Sequence, residues 1–214
     1  MLTSDSKIIK ERFAADLLLF DSTPRYNIAP TQTVSVIVSE KERSLEGYRW
    51  GLVPHWAKDL SVGSKMINAR AETLLERPAY KPAFLRRRCL IPANGFYEWL
   101  KSGDSPGPRR FELTDRRLFA FAGLWESWTS PDGCELRTCT IITTAANNVV
   151  RPVHDRMPAI LSEVDEDIWL RPDSKPADLL PLLLTNEDLF LNVTAVTKRL
   201  NNAGYDGPEL LATV

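Results

Sequence analysis

The pattern of apolar and polar positions divides this chain into a strand-rich centre and peripheral helices. Ile9, Phe13 and Leu17 recur at four-residue intervals, which predicts an amphipathic helix over residues 5–19 with Ser4 or Asp5 as its N-cap. The irregular stretch RYNIAPTQ, residues 25–32, precedes a clear strand, TVSVIVS, and a second strand, EGYRWGLV, that ends at Pro54. Residues 54–66 read as a loop, because Gly, Ser and Pro break any period there. A short helix through ETLLER, residues 72–77, is expected to stop at Pro78. From about residue 88 to 143 the segments CLIP, GFYEWLK, RRFELT, LFAFAGLWESW and LRTCTIITT read as strands, with SGDSPGP at residues 102–108 as a hairpin tip. Helices return at DEDIWLR and near ADLLPLLL, and LFLNVTAV closes as a strand. Strands in the centre with helices around them make an α+β fold, organised as a single domain over residues 1–214.

Composition narrows the class without naming a chemistry. Hydrophobic residues make up 43% and charged residues 26%, ordinary values for a soluble globular protein. No apolar run approaches the roughly 20 residues needed to cross a bilayer, and no secretory signal opens the chain, so no membrane partner and a cytoplasmic location are expected. The net charge of -1 lacks the basic excess of many nucleic-acid binders, so such a partner would need a local basic groove. Three cysteines without a CxxC pair, and two histidines, argue against a disulfide framework and against a metal site; no metal or cofactor is expected.

Four polar clusters stand among apolar or turn residues: Arg25–Gln32, Asn68–Glu72, Asn94–Trp99 and Val153–Pro158. Alternation along GFYEW puts Phe96 and Glu98 on one face and Tyr97 and Trp99 on the other. A carboxylate sharing a face with Phe is either paired or held for proton transfer, and partial burial would raise its pKa. The competing reading is an edge-strand glutamate pointing at solvent. His154 lies in a loop closed by Pro158, and histidine exchanges protons near neutrality, although a lone histidine is often merely structural. Asn68 and Arg70, two apart, could present an amide and a guanidinium from one face of extended backbone, a pairing suited to carbonyl and phosphate oxygens; a surface Arg70–Glu72 ion pair is the alternative. Lys81, Arg86, Arg87, Arg88, Arg109 and Arg110 could line a phosphate groove or form a solvated face. Trp56, beside His55 and Lys58 in a loop, could stack on a base, whereas Trp50, Trp99, Trp125 and Trp128 are expected in the core.

Taken in order, RYNIAPTQ, RWGLVPHW, INARAET, RRCLIPANGFYEW and VHDRMPAIL resemble the SOS response-associated peptidase family, from about residue 25 to VTKRLNN near residue 200. The resemblance implies an α+β fold with a curled, barrel-like mixed or antiparallel sheet flanked by helices. It also implies a positively charged groove for single-stranded DNA, abasic sites as the lesion sensed, a monomer, and association with the nucleoid when bound. In that family an N-terminal cysteine, exposed by removal of the initiator methionine, condenses through its amine with the abasic-site aldehyde and closes a thiazolidine through its thiol. Carried over residue by residue, Asn68 positions amine and sugar, Glu98 is the acid–base partner of the amine and of methionine removal, and His154 protonates the sugar ring oxygen. Arg70 resembles a phosphate ligand, Pro30 and Trp56 parts of a wedge that interrupts stacking, and Thr143 a sugar–phosphate contact; Asn27 and Arg156, inside the matching motifs, are DNA-binding positions by the same resemblance. The family's opening, Met-Cys-Gly-Arg and an aromatic residue, is not matched, since the chain starts Met1-Leu2-Thr3-Ser4. A truncated opening is the expectation, and as it stands the chain is expected to form no thiazolidine. A non-covalent single-stranded DNA module and a peptidase are the alternatives.

Overall fold

The computed structural model describes residues 1–102 and 105–213. The SGDSPGP hairpin tip expected at residues 102–108 falls on residues 103 and 104, outside the described residues. The first helix, α1 (Ser6–Arg12), is capped by Asp5, whose side chain accepts from the Ile8 N–H. It is shorter than the expected 5–19. Ala14 turns the backbone to φ +47, and Asp16 exchanges main-chain and side-chain hydrogen bonds with Arg43. Those bonds draw Leu17–Leu18 out as strand β1, so Ile9 and Phe13 are buried while Leu17 is exposed.

Strand β2 (Thr33–Ser39) matches the expected run, and β3 (Arg43–Trp50) returns antiparallel to it, stopping four residues short of Pro54. After β4 (Asn68–Arg70), the ETLLER segment is no α-helix: Ala71–Thr73 form a 3-10 turn instead. Pro78 disfavours helical backbone at Arg77, so a helix begun in ETLLER could not run on. The helix forms beyond the proline, as α2 (Lys81–Arg86), with Pro82 in its first turn. The strand-rich centre follows: β5 (Arg88–Ala93), β6 (Phe96–Leu100), β7 (Gly107–Leu113), β8 (Phe119–Thr129) and β9 (Glu135–Ala145). Short strands β10 (Arg156–Pro158) and β11 (Ile160–Leu161) lead to helices α3 (Glu163–Leu170) and α4 (Pro176–Leu179), and β12 (Leu191–Ala195) is the last strand.

Strands pair in the order β3–β2–β5–β8–β9, and β9 returns to β3 in parallel through Arg49↔Thr138 and Trp50↔Cys139. The result is a closed, mixed, barrel-like ring of five strands in an α+β fold. Period-two burial gives the ring two apolar faces. On one, Ile37, Leu45, Leu90, Ala122 and Leu124 meet Ile9 and Phe13 of α1, Phe84 of α2 and Trp169 of α3. On the other, Val36, Tyr48, Cys89, Ile91, Trp125, Cys139 and Ile141 gather together. Tyr48 and Trp125 stand on strands that are not neighbours in the ring, yet their rings are 5.7 Å apart, which marks this face as the interior. A second sheet, β12–β7–β6, joins the same core where Phe96 stacks on Phe111 at 5.0 Å and meets Phe121 of β8 edge-on at 6.1 Å.

β9 outruns the ring and carries the site. Beyond its pairing with β3 on one edge, it takes up β4 in parallel, Asn68↔Ile141 to Arg70↔Thr143. Beyond β8 on the other edge, it takes up β10, Arg156↔Ala145 to Pro158↔Thr143. Two of the sequence clusters, nearly ninety residues apart, thereby flank one strand end.

Candidate functional site

A cleft of about 690 Å³ opens beside this strand end. Its floor is apolar, from Val34, Ile91, Phe121 and Ile141, and its rim carries Pro30, Asn68, Arg70, Glu98, His154 and Arg156. Each of the four polar clusters of the sequence contributes to that lining.

Asn68 and Arg70 are exposed on one face of β4 while Ala69 between them is fully buried. The strand is held from below: the Trp50 indole N–H donates to the Ile67 carbonyl at 2.8 Å, and the Tyr80 hydroxyl donates to the Asn68 carbonyl at 3.2 Å. The alternative Arg70–Glu72 ion pair does not form among the described residues, because Glu72 takes Arg156 instead, in a two-pronged contact of 2.7 and 2.9 Å.

Glu98 is half-buried in β6 rather than aimed at open solvent. Burial pushes its carboxyl above the usual range; His154 and Lys101 nearby pull it down, and Asp155 pushes it up. Glu98 and His154, from two distant clusters, are therefore close enough to feel each other's charge. Nδ1 of His154 lies 3.1 Å from both the N–H and the carbonyl oxygen of Arg156. The neutral ring can accept from the first and the protonated ring donate to the second, so one anchor serves either protonation state and Nε2 stays available.

The remaining expected residues have more mixed surroundings. Thr143 is buried; its hydroxyl donates to the Ala69 carbonyl at 3.5 Å, and its own carbonyl accepts from Arg156 at 2.6 Å. Asn27 lines the cleft, but its amide nitrogen donates to the carbonyls of Leu200, Asn202 and Tyr205, each at 3.1 Å. Pro30 is exposed at the rim, next to Thr31 at φ +72. Trp56 is 60% exposed and is not among the lining residues; its loop is held where the Trp128 indole donates to the Ala57 carbonyl at 2.7 Å.

Two sequence expectations are corrected here. The basic run is largely structural. Arg88 is buried and donates to the carbonyls of Phe84, Leu85, Trp169 and Arg171, joining α2, β5 and α3. Arg110 is buried against the Leu211 carbonyl, and Arg87 pairs with Glu126 at 2.6 Å. Trp99, expected in the core, is exposed and donates to Asn201 at 2.8 Å, because it sits on the side of β6 away from Phe111.

Sequence reasoning also missed how the first residues are fastened to the cleft. Leu2 pairs with Arg25 in an antiparallel bridge, Asn94 accepts from the Thr3 N–H at 2.8 Å, and the Met1 amine donates to the Gly95 carbonyl at 2.9 Å. Burial lowers that amine to about 5, with Asp206 pulling it up and Arg25 pushing it down. Asp206 in turn binds Arg25 and accepts from the N–H groups of Tyr26 and Asn27. Asn94 was visible as part of a polar cluster; Asp206, in a loop far along the chain, offered no signal.

Comparison with known proteins covers the whole fold. Residues 1–203 match a family model described as "SOS response associated peptidase (SRAP)". The chain is 42% identical over 215 residues to the abasic site processing protein YoqW of Bacillus subtilis, covering 98% of this chain and 96% of the relative. It is 31% identical over 225 residues to the abasic site processing protein HMCES of Xenopus tropicalis, covering 89% of this chain and 66% of the relative. Among solved structures, a Bordetella bronchiseptica protein superposes with a TM-score of 0.78 at 26% identity, covering 92% of this chain and 97% of that one. A Bacteroides thetaiotaomicron protein gives a TM-score of 0.81 at 24% identity, covering 100% and 97%.

Proposed function

The chain belongs to the SOS response associated peptidase family, and on that premise we propose that its cleft binds single-stranded DNA at an abasic site and processes the lesion sugar. The observation that carries this reading is the convergence of a half-buried carboxyl, an imidazole, an amide and two guanidinium groups around an apolar floor. Arg70 and Arg156 hold backbone phosphate, and Pro30 at the rim interrupts stacking beside the missing base. Asn68 orients the sugar, and Thr143 closes the pocket behind it. His154, anchored through Nδ1, gives a proton from Nε2 to the ring oxygen, which favours the open aldehyde. Glu98, its carboxyl raised by burial, takes and returns a proton as the amine reacts.

The covalent step requires an amine and a thiol on adjacent carbons, which only an N-terminal cysteine offers. The amine adds to the aldehyde carbon, water leaves as the imine forms, and the thiol adds to the imine carbon as its proton passes to nitrogen. Cys89, Cys134 and Cys139 lie within the chain and carry no free amine. A protein with Met-Cys-Gly-Arg and an aromatic residue placed ahead of Leu2 is expected to give a heat-stable adduct with uracil-excised single-stranded DNA. No adduct from that folded protein refutes the covalent reading. Binding of the same DNA is expected to favour single strands over duplex, which a fluorescence titration at two salt concentrations measures.

A further inference from the structure

Arg70 and Arg156 reach the cleft from opposite edges of β9, and a third residue, Glu72, pairs with the second of them. Both carboxylate oxygens of Glu72 accept from Arg156, at 2.7 and 2.9 Å, while Arg156 also donates to the Thr143 carbonyl at 2.6 Å. Glu72 lies in the 3-10 turn directly after β4, so its position follows from that of Arg70. Hydrogen bonds from Arg156, and beyond them the charge of Arg70, hold its carboxyl below the usual range. Arg70, Arg156 and Glu72 taken together carry a single net positive charge. The guanidinium fork fits a carboxylate and a phosphate equally well. Glu72 is 53% exposed against 20% for Arg156, so the carboxylate can swing to solvent while the guanidinium stays on Thr143.

We infer that Glu72 is a built-in counter-ion that sets the Arg70–Arg156 anion site to one positive charge, making it a specificity-determining residue for an internal phosphodiester over a terminal phosphate. An internal linkage carries one negative charge, whereas a phosphomonoester carries between about 1.5 and 2 at pH 7. Without Glu72 the site would carry two positive charges and favour the more highly charged ligand. The inference rests on the reading of the cleft as a DNA site.

Glu72→Gln keeps the shape and one acceptor but removes the charge. Against an oligothymidylate at low salt, the variant is expected to bind several-fold tighter than the unaltered protein. Its log K against log salt should steepen by about 0.7, as one more cation becomes available to phosphate. In competition, thymidine 5′-monophosphate should gain several-fold on thymidylyl-thymidine, which has one diester and no terminal phosphate. Both changes should vanish in an Arg156→Ala background, with circular dichroism verifying the fold of each variant. A folded Glu72→Gln protein with unchanged or weaker binding and an unchanged ligand ratio overturns the inference while leaving the DNA reading in place. Failure of both the unaltered protein and the variant to bind oligothymidylate overturns the two together.

Discussion

Asn27→Ala separates a structural asparagine from a DNA contact, since the family resemblance reads this residue as binding DNA and its geometry ties it to the fold. Its amide nitrogen donates to three carbonyls, of Leu200, Asn202 and Tyr205, each at 3.1 Å, and the residue is 7% exposed. An amide nitrogen carries two hydrogens, so two of the three contacts share one hydrogen and the three together count as about two full hydrogen bonds. Leaving a buried acceptor unmade costs about 1–3 kcal/mol. Water can reach part of this loop from the cleft, so the lower half of that range applies, and the total is about 2–4 kcal/mol. For a domain of this size each kcal/mol lowers the melting temperature by about 2–4 °C, which puts the expected drop at roughly 4–16 °C. Urea denaturation followed by tryptophan fluorescence measures the loss directly. A variant less than about 1 kcal/mol destabilised, but with several-fold weaker binding to single-stranded DNA, would refute the structural account and restore the DNA contact.

Two further outcomes follow from the rim. Burial raises the Glu98 carboxyl, so the folded state holds its proton more tightly than the unfolded chain; this group therefore lowers stability as pH rises from the ordinary carboxylate range through the raised value, and the loss persists above it. Glu98→Gln is accordingly expected to melt above the unaltered protein at pH 7.5, with the gap closing below about pH 4; an equal gap at both pH values contradicts the assignment. Arg70→Ala, at an exposed position, should change stability by no more than about 0.5 kcal/mol, yet flatten the salt dependence of single-stranded DNA binding by about 0.7 in log–log slope; an unaltered slope removes Arg70 from the phosphate site.

Much of the β framework was legible because its signal is local. The runs from residue 88 to 143 are rich in strand-forming residues and separated by turn signals, and they fold as β5 to β9. The two-residue spacing of Asn68 and Arg70 was equally readable, and β4 exposes both from one face. Helix limits were not legible, because what ends α1 is a set of hydrogen bonds between Asp16 and Arg43, invisible to a four-residue period. The basic run misled for a related reason: composition cannot distinguish a guanidinium facing phosphate from one facing four carbonyls, as Arg88 does. Pairing of Glu72 with Arg156 rather than Arg70 likewise depends on β9 carrying both flanking strands.

The seam between β3 and β9 has a kinetic consequence. Among the described residues two register pairs, Arg49↔Thr138 and Trp50↔Cys139, join these strands across a separation of roughly ninety residues, whereas β2–β3 and β8–β9 form between near neighbours in sequence. Hairpins of this kind zip early, whereas the seam recovers two register pairs for the largest loop entropy in the ring and is expected to close late. Because β4 extends the same edge of β9 just beyond the seam, the edge bearing Asn68 and Arg70 is completed with closure. Newly made chains are thus expected to gather most of their core before the edge bearing Asn68 and Arg70 is complete.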